Sequence, residues 1–235
     1  MLILGHRGRQ TRQMSEDTLE SFSNAIAQGA DGIEMDLRLA KDGEVVVVHD
    51  PNLHRIAGTA LKVEQLTTAE LKALPLRYGG CIPTLNEVTA HIHAPSILDF
   101  EIKHKAVVEP LLKKLKTSSG LRERTLISSF SLKMLKAVKD EIPDARVIIL
   151  QSRWHLPLRS KQWFARLEKL APFAVAFPFP VLNKRRVEAL HQRGFRVGVW
   201  DYGPYIPRDA RRLRSLNLDL AIVRWIEKLR NELEA

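Results

Sequence analysis

Short apolar runs alternate with amphipathic stretches along the whole chain. The runs at 2–4, 32–39, 97–102, 125–128, 146–150, 173–177, 196–200 and 219–223 are mostly rich in Val, Ile, Leu and Phe on both parities. Strands buried on both faces read this way, as in a parallel sheet covered by helices. The stretches between them carry apolar residues at helical spacing. Residues 18–28 place Leu19, Phe22 and Ile26 on one face and stop at Gly29. Thr84-Leu85-Asn86-Glu87 has the form of a capping box opening the next helix. Further helices are predicted over 107–115, 132–141, 161–170, 183–193 (ended by Gly194), 208–216 and 227–233.

Strands separated by helices, with no linker or break in composition, predict a closed (β/α)8 TIM barrel, a single domain spanning 1–235. A doubly wound open sheet is the alternative. Against it, the first strand runs into His6-Arg7-Gly8-Arg9 rather than a glycine-rich dinucleotide fingerprint. One segment departs from strict alternation: EVVVVHD at 44–50 follows the second strand after only Lys41-Asp42-Gly43. Asp-Gly between two β-rich runs signals a tight hairpin. A turn centred on Asp42-Gly43 places Asp36 directly opposite His49. The hairpin and the loop after it, about 40–83, then form an excursion over the barrel mouth.

In a barrel, catalytic groups gather at the C-terminal ends of strands. Those positions hold His6 and Arg7 after the first strand, Glu34 and Asp36 in the second, Glu101 and Lys103 at the third, and Trp200 at the seventh. The hairpin brings His49 back to the same face. Residues two apart in a strand point the same way, so Glu34 pairs with Asp36 and Glu101 with Lys103. Charges inside apolar runs are costly unless paired or bound to metal. Three carboxylates without a thiolate suit a hard divalent cation, Mg2+ or Ca2+. Ordinary salt bridging, Glu101 with Lys103 and Glu34 with Arg38, is the plainer alternative; the two histidines on neighbouring strand ends argue for a site. Trp200 is read as a stacking wall. His54, His91, His93, His104, His155 and His191 are read as surface or packing residues, and Arg9 and Arg12 as exposed. Phe130, Phe177 and Phe179 form either an apolar rim or core.

Charge narrows the partners. Thirty-seven Lys and Arg against 27 Asp and Glu give a formal charge of +10, which favours anions such as phosphate esters, nucleic acid or an anionic membrane. No basic stripe interleaves with aromatics as in single-strand binders, and Arg208, Arg211, Arg212 and Arg214 read as a solvated helix face. Cys81 is the only cysteine, so no intramolecular disulfide forms, which suits a reducing compartment. The first apolar run is too short for a signal peptide, and none is long enough to span a bilayer. A cytoplasmic protein is expected.

His6-Arg7-Gly8, Ser15-Glu16-Asp17-Thr18, Gly29-Ala30-Asp31-Gly32-Ile33-Glu34-Met35-Asp36, Lys41-Asp42-Gly43, Val47-Val48-His49-Asp50 and Glu101-Ile102-Lys103 resemble the glycerophosphodiester phosphodiesterases. Leu53-His54-Arg55, Leu66-Thr67-Thr68-Ala69-Glu70-Leu71, Ile82-Pro83-Thr84-Leu85-Asn86-Glu87 and Ser129-Phe130 add to the likeness. It is dense over 2–103 and continues in order to about Trp200. The resemblance implies a (β/α) barrel that hydrolyses glycerophosphodiesters to glycerol 3-phosphate and an alcohol. It implies Glu34, Asp36 and Glu101 on the divalent metal, and His6 and His49 as general base and general acid. Arg7 and Lys103 would contact phosphate, and Glu16 would support the site. It further implies attack by the neighbouring glycerol hydroxyl, giving a cyclic phosphate that water opens. The expected partner is a small-molecule glycerophosphodiester, with neither nucleic acid nor stable membrane insertion; a homo-oligomer is left open.

Three departures from the family pattern stand out. Ser15-Glu16-Asp17-Thr18 replaces the usual Pro-Glu-Asn-Thr, adding a negative charge near the carboxylates. Asp201-Tyr202-Gly203 follows Trp200 where relatives tend to carry Thr-Val-Asn. The last strand ends Ile222-Val223-Arg224-Trp225 without the usual Thr-Asp followed by Pro. The first bears on metal affinity or pH dependence, and the other two on substrate choice more than on chemistry. Two other functions fit less of the sequence. A lysophospholipase D or phospholipase on the same barrel would use Trp154, Leu156-Pro157-Leu158 and Trp163 as an apolar lip. A non-catalytic anion- or nucleic-acid-binding barrel would follow from the +10 charge.

Overall fold

The computed structural model describes residues 1–152, 160–200 and 209–235, and each apolar run becomes a strand. Strand β1 (Leu2–His6) leads to helix α1 (Leu19–Ala27), then β2 (Gly32–Leu39) and the hairpin strand β3 (Val45–Val47). Short helices α2 (His54–Ala57) and α3 (Thr68–Ala73) lie in the excursion, and α4 (Leu85–His91) returns the chain to β4 (Ile97–Ile102). Then follow α5 (Val108–Thr117), α6 (Ser119–Glu123), β5 (Thr125–Ser129), α7 (Leu132–Glu141), β6 (Val147–Leu150) and α8 (Lys161–Leu170). The last third is β7 (Ala174–Pro178), α9 (Lys184–His191), β8 (Val197–Trp200), α10 (Asp209–Ser215), β9 (Leu220–Val223) and α11 (Ile226–Glu234). The predicted capping box forms: Thr84 N–H donates to Glu87 Oε2 (2.9 Å) and Glu87 N–H to Thr84 Oγ1 (3.1 Å).

The strands pair in parallel in the order β1-β9-β8-β7-β6-β5-β4-β2, and β2 also pairs with β1, so the sheet closes on itself. Closure excludes the open doubly wound sheet. Alternation divides each strand between two environments. Ile33, Met35 and Leu37 of β2 face outward with Phe22, Leu111 and Leu167 from the helices. Leu4, Leu126, Ile148, Ala174 and Leu220 meet inside the barrel. Glu34 and Asp36 take the inward parity of β2, as Asp99 and Glu101 do in β4. The sequence therefore aims buried carboxylates up the barrel axis.

Gly32 shares that inward parity and permits close packing of β2 on β4. A Cβ there would lie 2.2 Å from the Ile97 carbonyl oxygen. Gly32→Ala is expected to cost about 3 kcal/mol by forcing these backbones apart. The urea midpoint checks it: an unchanged midpoint would show that the strands separate at little cost.

The hairpin register differs from the expected one by a residue. Leu37 pairs with Val47, Arg38 with Val46 and Leu39 with Val45. Ala40 N–H donates to the Glu44 carbonyl (2.9 Å) and Gly43 N–H to that of Ala40 (3.0 Å). Gly43 sits at φ +82, so the loop is Lys41-Asp42-Gly43 with a left-handed third residue, not a two-residue turn. Val48, not His49, therefore stands opposite Asp36, donating its N–H to the Asp36 carbonyl at 2.8 Å.

The pairing also places the hairpin. On β2, pairing with β1 ends at Glu34, and β3 takes over from Leu37. β3 thus extends the wall above the point where β1 stops. The excursion packs on it through a second small core that includes Val46, Val48, Leu53, Ile56, Leu71 and Ile82.

Candidate active site

The end of β1 is locked from both sides. Arg7 is left-handed (φ +56), and its N–H donates to both the Glu34 carbonyl (3.0 Å) and Glu34 Oε2 (3.1 Å). Its own carbonyl accepts from Asp17 N–H at 3.0 Å. The Arg7 guanidinium then reaches Glu16 Oε1 and Asp36 Oδ2, each at 2.9 Å. Lys103 completes the clamp on Asp36, with Nζ 3.0 Å from Oδ1 and 2.5 Å from Glu101 Oε1. The expected bridge of Glu101 with Lys103 is therefore present. That of Glu34 with Arg38 is not: Arg38 Nε donates to the His49 carbonyl at 2.8 Å.

His6 stands inside this ring, its Nε2 3.9 Å from Glu34 Oε2. Burial pushes its imidazole well below the ordinary value, with Arg7, Arg224 and Lys103 adding to the effect. His49 is held differently. Its Nδ1 lies 2.6 Å from Asp50 Oδ1, and Arg55 Nε donates to Asp50 Oδ2 at 2.6 Å. Arg55 Nη2 also donates to Glu16 Oε1 at 2.6 Å. Burial would raise the Asp50 carboxyl, but His49 and Arg55 hold it below the usual range. An ionised Asp50 keeps the proton on Nδ1, leaving Nε2 as the free ring nitrogen. Burial lowers the His49 imidazole as well, against the pull of Asp36 and with the help of Arg7 and Lys103. Both sites thus favour the neutral imidazole.

Glu34, Asp36 and Glu101 are buried and each offers an oxygen within 4.8 Å of the others. Burial, then Asp36 and Glu101, raises the Glu34 carboxyl well above the usual range. Burial and Asp36 lift Glu101 to about 7. Burial would raise Asp36 too, but Lys103 and Arg7 overcome it and hold Asp36 low. Glu34 Oε1 lacks a hydrogen bond among the described residues, while the Asp36 oxygens are held by the ion pairs to Arg7 and Lys103. A buried oxygen left like Glu34 Oε1 calls for a partner, and three carboxylates at this spacing fit a hard divalent cation. Asp17 is buried, and burial with Asp36 and Glu16 raises its carboxyl well above the usual range, which opposes the negative charge its sequence position adds.

His6, Arg7, Glu34, His49, Glu101 and Lys103 line a cavity of about 490 Å3 together with Phe130, Leu150, Trp200, Ile222 and Arg224. Trp200 is fixed at the cavity by two contacts: its Nε1–H donates to the Gln151 carbonyl (3.1 Å) and its ring meets Phe130 edge-on at 5.6 Å. Phe130 is the exposed rim residue, while Phe177 and Phe179 are core. Trp163 is also buried, against Phe164, and so takes no part in an apolar lip. Trp154, His155, Leu156-Pro157-Leu158, Asp201-Tyr202-Gly203 and Arg208 lie outside the described residues. Glu16 joins Arg7 and Arg55 in the ion-pair chain. Asp50, Arg55 and Arg224 carry no role in the sequence reading. Asp50 was signalled by its place beside His49 at a strand end, Arg224 by its place at the end of the last strand, and Arg55 only by the Leu53-His54-Arg55 motif.

The model of the glycerophosphoryl diester phosphodiesterase family matches residues 6–224. The chain is 34% identical over 217 residues to a glycerophosphodiester phosphodiesterase of Caldanaerobacter subterraneus subsp. tengcongensis, covering 85% of this chain and 84% of the relative. Among solved structures, a glycerophosphodiester phosphodiesterase from Thermotoga maritima superposes with a TM-score of 0.82 at 30% identity, over 98% of this chain and 97% of that one. An Oleispira antarctica phosphodiesterase, solved in complex with the product sn-glycerol-3-phosphate, has the same fold (TM-score 0.86, 24% identity, 100% of this chain and 97% of that one).

Proposed function

Because this chain belongs to the glycerophosphoryl diester phosphodiesterase family, the enzymes that hydrolyse glycerophosphodiesters, we propose that it releases glycerol 3-phosphate by metal-assisted acid–base catalysis. The observation that carries this reading is the meeting of Glu34, Asp36 and Glu101 with His6 and His49 in one cavity. We take Glu34, Asp36 and Glu101 as the residues that hold a divalent cation, Mg2+ or Ca2+. Such a cation, when bound, neutralises charge on the phosphoryl oxygens.

The protein's own groups do the rest. Arg7 and Lys103 flank the carboxylates and direct their N–H groups at the phosphate, with charge-assisted hydrogen bonds that strengthen as negative charge builds. One neutral imidazole takes the proton of the attacking hydroxyl, and the other, once protonated, returns one to the leaving alkoxide. We assign His6 as the base and His49 as the acid. His49 has the carboxylate partner, Asp50, that stabilises its imidazolium. Glu16 fixes Arg7 and Arg55 and so sets the position of both ends of this ion-pair chain. Trp200 and Phe130 offer an apolar face for the carbon skeleton of glycerol.

No helix of the described residues is long and apolar enough to cross a membrane, in keeping with a small-molecule substrate. The reading is tested by incubating the protein with glycerophosphocholine or glycerophosphoethanolamine in Mg2+, Ca2+ or EDTA and assaying glycerol 3-phosphate. Metal-dependent product from either substrate is expected. Product undiminished by EDTA would refute the metal assignment, and none under any metal would refute the reaction.

A further inference from the structure

Among the described residues that line the cavity, Arg224 is the one cation to which the proposed reaction gives no role. Arg224 follows the last residue of β9, whose Val223 pairs with Gly5 of β1, so it stands beside His6 at the top of the barrel. It shares the inward parity of Leu220 and Ile222 and lines the same cavity as the histidines. Its side chain is 35% exposed, and its ion pair among the described residues is a loose one, Nη2 to Glu16 Oε2 at 3.7 Å. Glu16 is already engaged on its other oxygen by Arg7 at 2.9 Å and Arg55 at 2.6 Å. One carboxylate thus faces three guanidinium groups. Arg7 and Arg55 have second carboxylates, Asp36 and Asp50. Arg224 has none among the described residues, so its charge faces the cavity under-compensated.

A phosphodiester carries two substituents, and this cavity offers them unlike surroundings. Phe130, on the loop after β5, and Trp200, at the end of β8, meet edge-on and present an apolar face. Arg224, on the β1 side, presents a partly solvated positive charge. With glycerol against the aromatic face, as the proposed function has it, Arg224 is the lining cation left to meet the alcohol arm. We propose that Arg224 selects the alcohol: substrates whose alcohol carries a second phosphate are preferred to those with a neutral polyol or a quaternary ammonium group. A cation there attracts the first and repels the last, and discrimination of this kind needs a repulsive as well as an attractive element. The inference rests on the hydrolytic reading above.

The test uses matched substrates: glycerophosphoinositol 4-phosphate, glycerophosphoinositol and glycerophosphocholine, compared by kcat/KM in wild type, Arg224→Gln and Arg224→Lys. The same ligands are titrated calorimetrically into His49→Ala, with and without Arg224→Gln. Wild type is expected to prefer the phosphorylated polyol to the plain one by about tenfold, the size of one charge-assisted contact. Arg224→Gln should bring that ratio near one and improve glycerophosphocholine relative to the others. Arg224→Lys should keep most of the preference. Turnover of all three substrates with no preference, or a preference unchanged in Arg224→Gln, overturns the inference and leaves the hydrolytic reading intact. Absence of turnover with the binding ratio preserved overturns the hydrolytic reading and supports the selectivity of Arg224.

Discussion

His49→Ala is expected to lower glycerol 3-phosphate release by about 100- to 10,000-fold, the range for loss of a positioned proton donor. The variant should fold normally, since the His49 side chain is partly exposed at the mouth and belongs to neither apolar core. It also lies outside the carboxylate cluster, so metal affinity should stay within a few-fold of wild type. That combination, activity lost and metal retained, separates proton transfer from metal binding. Asp50→Asn should give a smaller loss, because it removes the partner of Nδ1 without removing the imidazole. Near-normal turnover by His49→Ala in a steady-state assay would remove His49 from the reaction and return attention to His6.

Glu34→Gln is expected to weaken divalent-metal binding by tenfold or more while leaving the metal-free protein at least as stable as wild type. The two effects have one origin. Burial, Asp36 and Glu101 disfavour the Glu34 carboxylate in the empty site, so a neutral amide of the same shape relieves repulsion there. A bound cation reverses this and needs the charge. Metal binding must therefore displace protons, and affinity should rise with pH up to about 7, where Glu101 titrates. The sign for stability is opposite. A carboxyl raised by folding contributes fully below its unfolded value and loses that contribution as pH climbs through its folded value. Asp99, lifted to about 8 by burial, behaves alike beneath the cluster. The metal-free fold should thus weaken between about pH 4 and 8, and saturating Mg2+ or Ca2+ should restore it. Calorimetry for affinity and thermal unfolding with and without EDTA measure both. Tight metal binding by Glu34→Gln, or equal melting with and without metal, would reassign the cluster to ordinary ion pairing.

Much of this was legible in the chain because the barrel strands are buried on both faces, which leaves dense apolar runs such as 146–150 and 173–177. Parity alone then brought Glu34, Asp36 and Glu101 to the inside. Where the reading failed, it lacked information that only packing supplies. Asp42-Gly43 suits a two-residue and a three-residue hairpin loop equally well. The choice depends on Gly43 alone being left-handed, and that choice moved Val48 into the place expected for His49. The Glu34–Arg38 bridge failed for a simpler reason: four residues along a strand span about 13 Å. Apart from its motif, Arg55 was invisible as a site residue because it sits in a four-residue helix whose position is set by the small core of the excursion. The helices α2, α3 and α6 are too short for helical periodicity to register.

The first strand pairs with the last, and Arg230 of α11 reaches back 201 positions to donate to the Gly29 carbonyl at 2.6 Å. During synthesis, Glu34, Asp36, Glu101 and both histidines leave the ribosome before β9, on a sheet that cannot yet shut. Until residue 223 has emerged, β1 and β8 each offer an unpaired edge, the kind of surface that recruits other chains. Contacts this distant in sequence also form slowly. The nascent chain therefore holds the carboxylate cluster and both histidines on a sheet with nothing to close it, and it stays vulnerable until β9 has emerged.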